Sequence, residues 1–321
     1  MNINSIQGTE NPDIILGTPN DDEIVGLGGN DTIIGTTGSD IIDGGDGIDT
    51  VNYGFFFNKI TLLPQGFFSN GSPQNSQIIN IERIVAPVGF DNEIDASSGR
   101  GGVSLDVDLG AKSLIVNDIP GLGTQTFTVE NFVNVRGTPQ SDILIGDGED
   151  NKLIGVGGND SLVGSGGNDT LIGGRGDDTL TGTDSVFRGA GERDVLVGEG
   201  LGTDLFILGD ENGSFYQSSG DRDLAVIRNF DFGELIQLGA NETYALENNR
   251  FGFQVFLTTD SQKDLIANVK FPVFSINSAS VSSTPQAFSS ESVQANALIG
   301  EVPEGEFTLS SGEISDIFVG A

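Results

Sequence analysis

The chain has 321 residues, with 48 Gly and 10 Pro, and 14 Lys plus Arg against 47 Asp plus Glu give a formal net charge of -33. His, Cys and Trp are absent, which excludes imidazole-based Ser or Cys triads, His or thiolate zinc sites, nucleophilic thiols and disulfides. A carboxylate surplus of this size repels nucleic-acid phosphate and anionic membranes, so neither is an expected partner, whereas hard cations that take oxygen ligands are natural counterparts. Met1 to Asp13 has neither a basic n-region nor an apolar h-region, so no cleaved N-terminal export signal is expected. No window approaches the ~20 consecutive apolar residues of a membrane span.

Residues 1–53 form the first block. Asp13, Asp22, Asp31, Asp40 and Asp49 recur at a spacing of nine. Two residues after each stands a large aliphatic side chain (Ile15, Ile24, Ile33, Ile42, Val51), and five before each stands Gly8, Gly17, Gly26, Gly35 or Gly44. The same columns return in a second block, 137–204, at Asp142, Asn151, Asp160, Asp169 and Asp178, followed by Leu144, Leu153, Leu162, Leu171 and Leu180. Period-two alternation in a short strand sends the aliphatic residue inward, and glycines let turn carbonyls converge without Cβ clashes.

The segments Gly44-Gly45-Asp46-Gly47-Ile48-Asp49-Thr50-Val51 and Gly173-Gly174-Arg175-Gly176-Asp177-Asp178-Thr179-Leu180 resemble the RTX, or hemolysin-type, calcium-binding nonapeptide G-G-x-G-x-D-x-U-x. The resemblance implies an all-β fold, a right-handed parallel β-roll or β-solenoid in which two nonapeptides make one turn and like loops stack 18 residues apart. It also implies Ca²⁺ held between stacked turns by carboxylates and backbone carbonyls, up to about six ions. In the first block the implied ligand residues are Asp13, Asp22, Gly26, Gly28, Asp31, Gly35, Asp40, Gly44, Asp46 and Asp49. In the second they are Asp142, Gly155, Gly157, Asp160, Gly164, Gly166, Asp169, Gly173 and Asp178, with Asn151 lacking the carboxylate. At the block starts Asn11, Asn20, Gln140 and Glu149 replace the second-half glycine, which leaves calcium loop and metal-free cap both open there. Ordinary solenoid turns with solvated carboxylates are the bland alternative for all the loops.

Residues 54–136 break the period but keep β character. Val103 to Leu109 alternates as a half-buried strand, Asp91-Asn92-Glu93-Ile94 echoes Asp150-Asn151-Lys152-Leu153, and Ile81 to Ile84 echoes Phe132 to Val135. This segment is expected to add solenoid rungs with poor calcium loops, its Phe55 to Phe57 and Phe67-Phe68 clusters serving as core or cap, with a contact surface as the alternative. After Asp178 the period slips, with Asp194 and Asp204 keeping the Asp role and Leu196 and Phe206 the aliphatic one. Apolar runs across 205–275 are expected to form a β-rich capping subdomain, since a solenoid end exposes apolar core and unpaired edges. The Ser, Ala, Gln and Glu-rich stretch 276–321 is expected to be a flexible tail, and its Asp316-Ile317-Phe318-Val319 is similar to the uncleaved C-terminal export signals of type I secreted RTX proteins.

The expectation that follows is a non-enzymatic, secreted, calcium-binding protein at the cell surface or in the extracellular matrix, with calcium and the type I secretion machinery as partners and self-assembly or cell-surface polysaccharide as further ones. A carboxylate-based hydrolase, or an RTX toxin or adhesin, is the alternative.

Overall fold

The computed structural model describes residues 3–271 apart from 36, 64–66, 70–75, 100, 218–221, 232, 250 and 260–262, together with the strands Gln286–Ser289 and Phe318–Gly320. Among the described residues every regular element is a strand, and no helix is long and apolar enough to cross a membrane. The fold is an all-β parallel β-roll. The chain divides into two units, Met1–Ile145 and Gly146–Ala321.

In the first unit each nonapeptide contributes one short strand, and successive strands fall alternately into two sheets. Ile14–Leu16, Thr32–Ile34 and Thr50–Asn52 stack parallel in one sheet, with Ile15 opposite Ile33 and Ile33 opposite Val51. Asn4–Gln7, Asp22–Val25 and Ile41–Asp43 stack in the other, with Ile24 opposite Ile42. The 18-residue register puts like side chains above one another, so Ile15, Ile24, Ile33, Ile42 and Val51 are all buried. Each contributes roughly 1.5 to 3 kcal/mol by leaving water, which is what lets strands of three or four residues hold together.

The intervening segment keeps this stack while changing its local direction. Ser76–Ile79 lies parallel to Ile41–Asp43, and Arg83–Val85 lies parallel to Thr50–Asn52. One antiparallel strand then enters each sheet: Phe67–Ser69 between Ser76–Ile79 and Thr61–Leu63, and Ser113–Ile119 between Gly123–Glu130 and Ser104–Asp108. A single antiparallel strand restores the original direction on its far side, so Glu93–Asp95 pairs parallel with Thr61–Leu63, and Ile143–Ile145 with Ser104–Asp108. Leu105 and Val107 are buried between half-buried neighbours, as the alternation requires. Phe55 and Phe57 are exposed, while Phe56 meets the buried Tyr53 edge to face at 5.1 Å between centroids.

In the second unit the parallel pairing continues well past the last regular nonapeptide. Lys152–Gly157, Thr170–Arg175, Arg193–Val197, Leu224–Arg228 and Lys263–Lys270 follow one another in one sheet. Ser161–Val163, Thr179–Thr181, Leu205–Ile207, Leu235–Leu238 and Phe318–Gly320 do so in the other. The rungs persist beyond residue 204 because Leu196, Phe206, Ile227 and Ile236 keep filling the aliphatic column, all of them buried, while only the loops lengthen. Among the described residues of 205–275, where a cap is expected, antiparallel pairing joins Gly209–Asp210 to Gly213–Ser214, and lays Gly252–Thr258 on Lys263–Lys270 and Thr243–Asn249 on Gly252–Thr258. Phe230 and Phe253 pack there edge to face at 5.9 Å. Of the segment read as a tail, Gln286–Ser289 and Phe318–Gly320 are paired strands; the rest, Asp316 and Ile317 included, lies outside the described residues.

Candidate metal centre

The Asp columns are buried ladders. Asp31, Asp40, Asp49, Asp160, Asp169 and Asp178 are each exposed by 2% or less, because the turn folds the carboxylate under the next rung. One oxygen of each accepts the main-chain N–H of the residue one rung earlier: Asp13 to Asp31 Oδ1 at 2.8 Å, Asp22 to Asp40 at 3.1 Å, Asp31 to Asp49 at 2.7 Å. Asn151 to Asp169 (2.7 Å) and Asp160 to Asp178 (2.8 Å) repeat this. These five pairs, each 18 residues apart, are thus brought together, through one oxygen.

The second oxygen separates the loops into two sets. In the closed set a threonine four residues upstream caps it. Thr9, Thr18 and Thr138 donate their N–H to Asp13, Asp22 and Asp142 Oδ2 at 2.6, 2.6 and 2.5 Å. Their hydroxyls lie at 2.9, 2.8 and 3.0 Å from the same carboxylates. Asn151 is closed similarly, its Oδ1 accepting the Asp147 N–H at 2.8 Å. In the open loops of Asp31, Asp49, Asp160, Asp169 and Asp178 the residue at that place is left-handed, as at Leu27 (φ +82°) and Val156 (φ +85°), and its peptide faces the neighbouring rung; Leu27 O, for example, accepts the Asp46 N–H at 2.8 Å. The second oxygens of Asp31, Asp49, Asp169 and Asp178 are then buried with no hydrogen-bond donor, and that of Asp40 is likewise buried without one.

What faces the second oxygens of Asp31, Asp49, Asp160 and Asp169 is another acceptor. A Cβ added at Gly26 would collide with both Asp31 Oδ2 and the Gly44 carbonyl oxygen. At Gly155 it would meet Asp160 Oδ2 and Gly173 O, and the same holds at Gly44 (Asp49, Asn80 O) and Gly164 (Asp169, Gly182 O). Only glycine leaves this cradle open. A Cβ added at Gly173 would collide with the Asp178 side chain. Among the remaining expected residues, Gly28 bridges to Asp46, Gly157 is paired in its strand with Arg175, and the Gly166 N–H donates to Asp147 O at 2.8 Å. Gly35 differs, since the Tyr53 ring fills the space beside it.

Burial raises the carboxyl pKa of Asp40 and Asp178 to about 7 and of Asp169 to about 8; neighbouring carboxylates add to this and the ladder N–H groups oppose it. Asp49 is raised for the same first reason. Without a cation these groups resist ionisation. Among the described residues no group of three or more Asp or Glu side chains converges on a metal position, so a centre here would draw on one or two carboxylates and main-chain carbonyls. That donor set suits Ca²⁺, which takes oxygen ligands at ~2.3 to 2.6 Å.

The family model for the RTX calcium-binding nonapeptide repeat matches residues 3–32, 16–51, 136–171 and 154–185. The chain carries RTX calcium-binding nonapeptide repeats. No curated protein matches it. Among solved structures it is similar to the extracellular lipase LipA from Serratia marcescens, at 15% identity and a TM-score of 0.25 over 85% of this chain. It covers 39% of that lipase chain.

Outside the regular nonapeptides further residues continue the ladders, Asp194 and Asp204 in the Asp role read from the sequence, Glu82 and Asn92 in one the spacing does not assign. Glu82 Oε2 accepts the Asp49 N–H at 2.7 Å, Asp194 and Asp204 accept those of Asp169 and Asp178 at 2.8 and 2.9 Å, and Asn92 accepts that of Ile60 at 3.0 Å. Asn92 has no need of a cation, since its amide donates to the carbonyls of Pro87 and Asn131, both at 2.7 Å. The echo of Asn151 in Asp91 to Ile94 is the signal for it.

Proposed function

We propose that this chain is a secreted calcium-binding protein whose roll folds as ions bind outside the cell, and that it serves there as a surface or matrix component and not as an enzyme. The observation that carries this is the run of buried, donor-free Asp oxygens set against carbonyl oxygens at Gly26, Gly44 and Gly164. Acceptor against acceptor is repulsive until a cation lies between them, and a site assembled only in the folded chain makes binding free energy into folding free energy. Asp31, Asp49, Asp160, Asp169 and Asp178 would hold the ions, with the carbonyls of Gly44, Asn80, Gly173 and Gly182 as partners. The calcium supplies the positive charge, and the chain supplies a stacked, dehydrated frame for it. A net charge of -33 adds a repulsion that bound divalent ions relieve.

The test is a calcium titration of metal-free protein followed by circular dichroism at fixed ionic strength. The β signal should grow as Ca²⁺ rises to ~10⁻⁴ to 10⁻³ M, the range of extracellular modules. A spectrum and melting temperature unchanged in excess chelator would defeat the proposal.

A further inference from the structure

The ladder preceding the second unit's longer sheet passes from Asn151 to Asp169 by an 18-residue step and from Asp169 to Asp194 by a 25-residue step. The Asp194 rung keeps the frame of a calcium cradle. Asp194 is fully buried, its Oδ1 accepts the Asp169 N–H at 2.8 Å, and Gly182 faces its Oδ2 as Gly164 faces that of Asp169. One atom differs. The cradles at Gly26, Gly44, Gly155 and Gly164 set a carbonyl oxygen against the carboxylate; at Gly182 the Tyr216 hydroxyl stands there. It donates to Asp194 Oδ2 at 2.6 Å.

Tyr216 is held in that place from several sides. It is fully buried, adopts a left-handed backbone (φ +60°), and its N–H donates to Arg188 O at 2.9 Å. Gly189 lies against its ring where a side chain could not fit. Arg188 in turn ties down the hairpin that delivers the tyrosine, through Asp210 at 3.2 and 3.3 Å and the carbonyls of Gly213 and Ser214 at 3.0 and 3.1 Å. Its guanidinium lies 5.2 Å from the centre of the Phe215 ring.

We infer that the Tyr216 hydroxyl closes the Asp194 rung without an ion, so that this row of calcium sites ends at Asp169. A hydroxyl hydrogen directed at the carboxylate does there what a cation does one rung earlier, and the rung stays satisfied whether or not calcium is present. The longer loop of residues 182–194 makes room for the phenol. This inference rests on the calcium-binding function proposed above.

Ions per chain are counted by native mass spectrometry of calcium-saturated wild type, Asp169→Asn and Asp194→Asn. Asp169→Asn should carry one ion fewer than wild type, and Asp194→Asn the wild-type number. Wild-type protein supplies a second readout that needs no destabilising substitution. A downfield, slowly exchanging hydroxyl proton, assigned by its absence in Tyr216→Phe, should persist at saturating calcium. Loss of an ion in Asp194→Asn, or disappearance of that resonance as calcium is added, overturns the inference alone. A wild-type chain that binds no calcium overturns the function beneath it and the inference with it.

Discussion

At the scale of single residues, the difference between a metal loop and a cap comes down to one donor. Asp13 receives the N–H and hydroxyl of Thr9, whereas Asp31 Oδ2, one rung on, receives none. Asp31→Ala and Asp160→Ala should therefore raise the calcium midpoint of folding more than Asp13→Ala, in titrations read by circular dichroism. Equal midpoints for the three would refute the division of the loops. Thr18→Val tests the closed set from the other side. It removes a hydroxyl at 2.8 Å from the Asp22 carboxylate, a hydrogen bond to a charged group worth roughly 1.5 to 3 kcal/mol. The loss should appear in urea denaturation at saturating calcium and leave the number of bound ions unchanged. The Asp and Gly columns are legible in the sequence because each loop repeats its own chemistry every nine residues. The closure is written there too, as Gly-Thr followed by Asp at Thr9, Thr18 and Thr138, but it takes the backbone to tell a donor turned toward the carboxylate from a left-handed residue turned away. Tyr216 is not legible at all, since 22 residues and a hairpin separate it from the Asp194 it serves.

At the scale of elements, burial and metal act on different observables. Ile33 and Leu162 are completely buried in strands of three residues, so truncating either leaves a cavity that the stacked neighbours above and below cannot close. Ile33→Ala and Leu162→Ala should each cost about 2 to 5 kcal/mol at saturating calcium, measured by urea denaturation with excess Ca²⁺. A change confined to the calcium midpoint would mean that these residues are not core. The parallel rungs follow from the sequence because their register is fixed by like residues stacking at a constant step. The antiparallel strands Phe67–Ser69 and Ser113–Ile119 do not, because alternation such as that of Leu114 and Val116 specifies a half-buried strand but neither its partner nor its direction. The continuation past residue 204 is harder to see for a related reason: Leu171 opposite Leu196, and Leu180 opposite Phe206, preserve the contact while the intervening loops change length.

At the scale of the whole molecule, the buried ladders couple folding to pH through protons that the calcium-free chain retains. Burial lifts Asp40 and Asp178 to about 7, Asp169 and Glu234 to about 8 and Asp194 to about 6, whereas unfolded carboxylates titrate near 4. Between those values the folded chain binds more protons than the unfolded one, so its stability is greatest at the acid end and declines as pH rises toward 8. The net charge of -33 pushes in the same direction, since ionising further carboxylates increases repulsion in the compact state. Salt separates the two causes. At 1 M ionic strength the screening length falls to about 3 Å, which suppresses repulsion among exposed charges and does little to buried ones. In chelator and 1 M NaCl the melting temperature should therefore still be higher at pH 5 than at pH 8. Calcium should narrow that gap by replacing protons in the ladders, with protons released on binding at pH 6 to 7 and counted in a weakly buffered titration. A chelated protein that melts higher at pH 8 than at pH 5 would show that the Asp ladders are ionised without metal, and the link between their burial and calcium would fail.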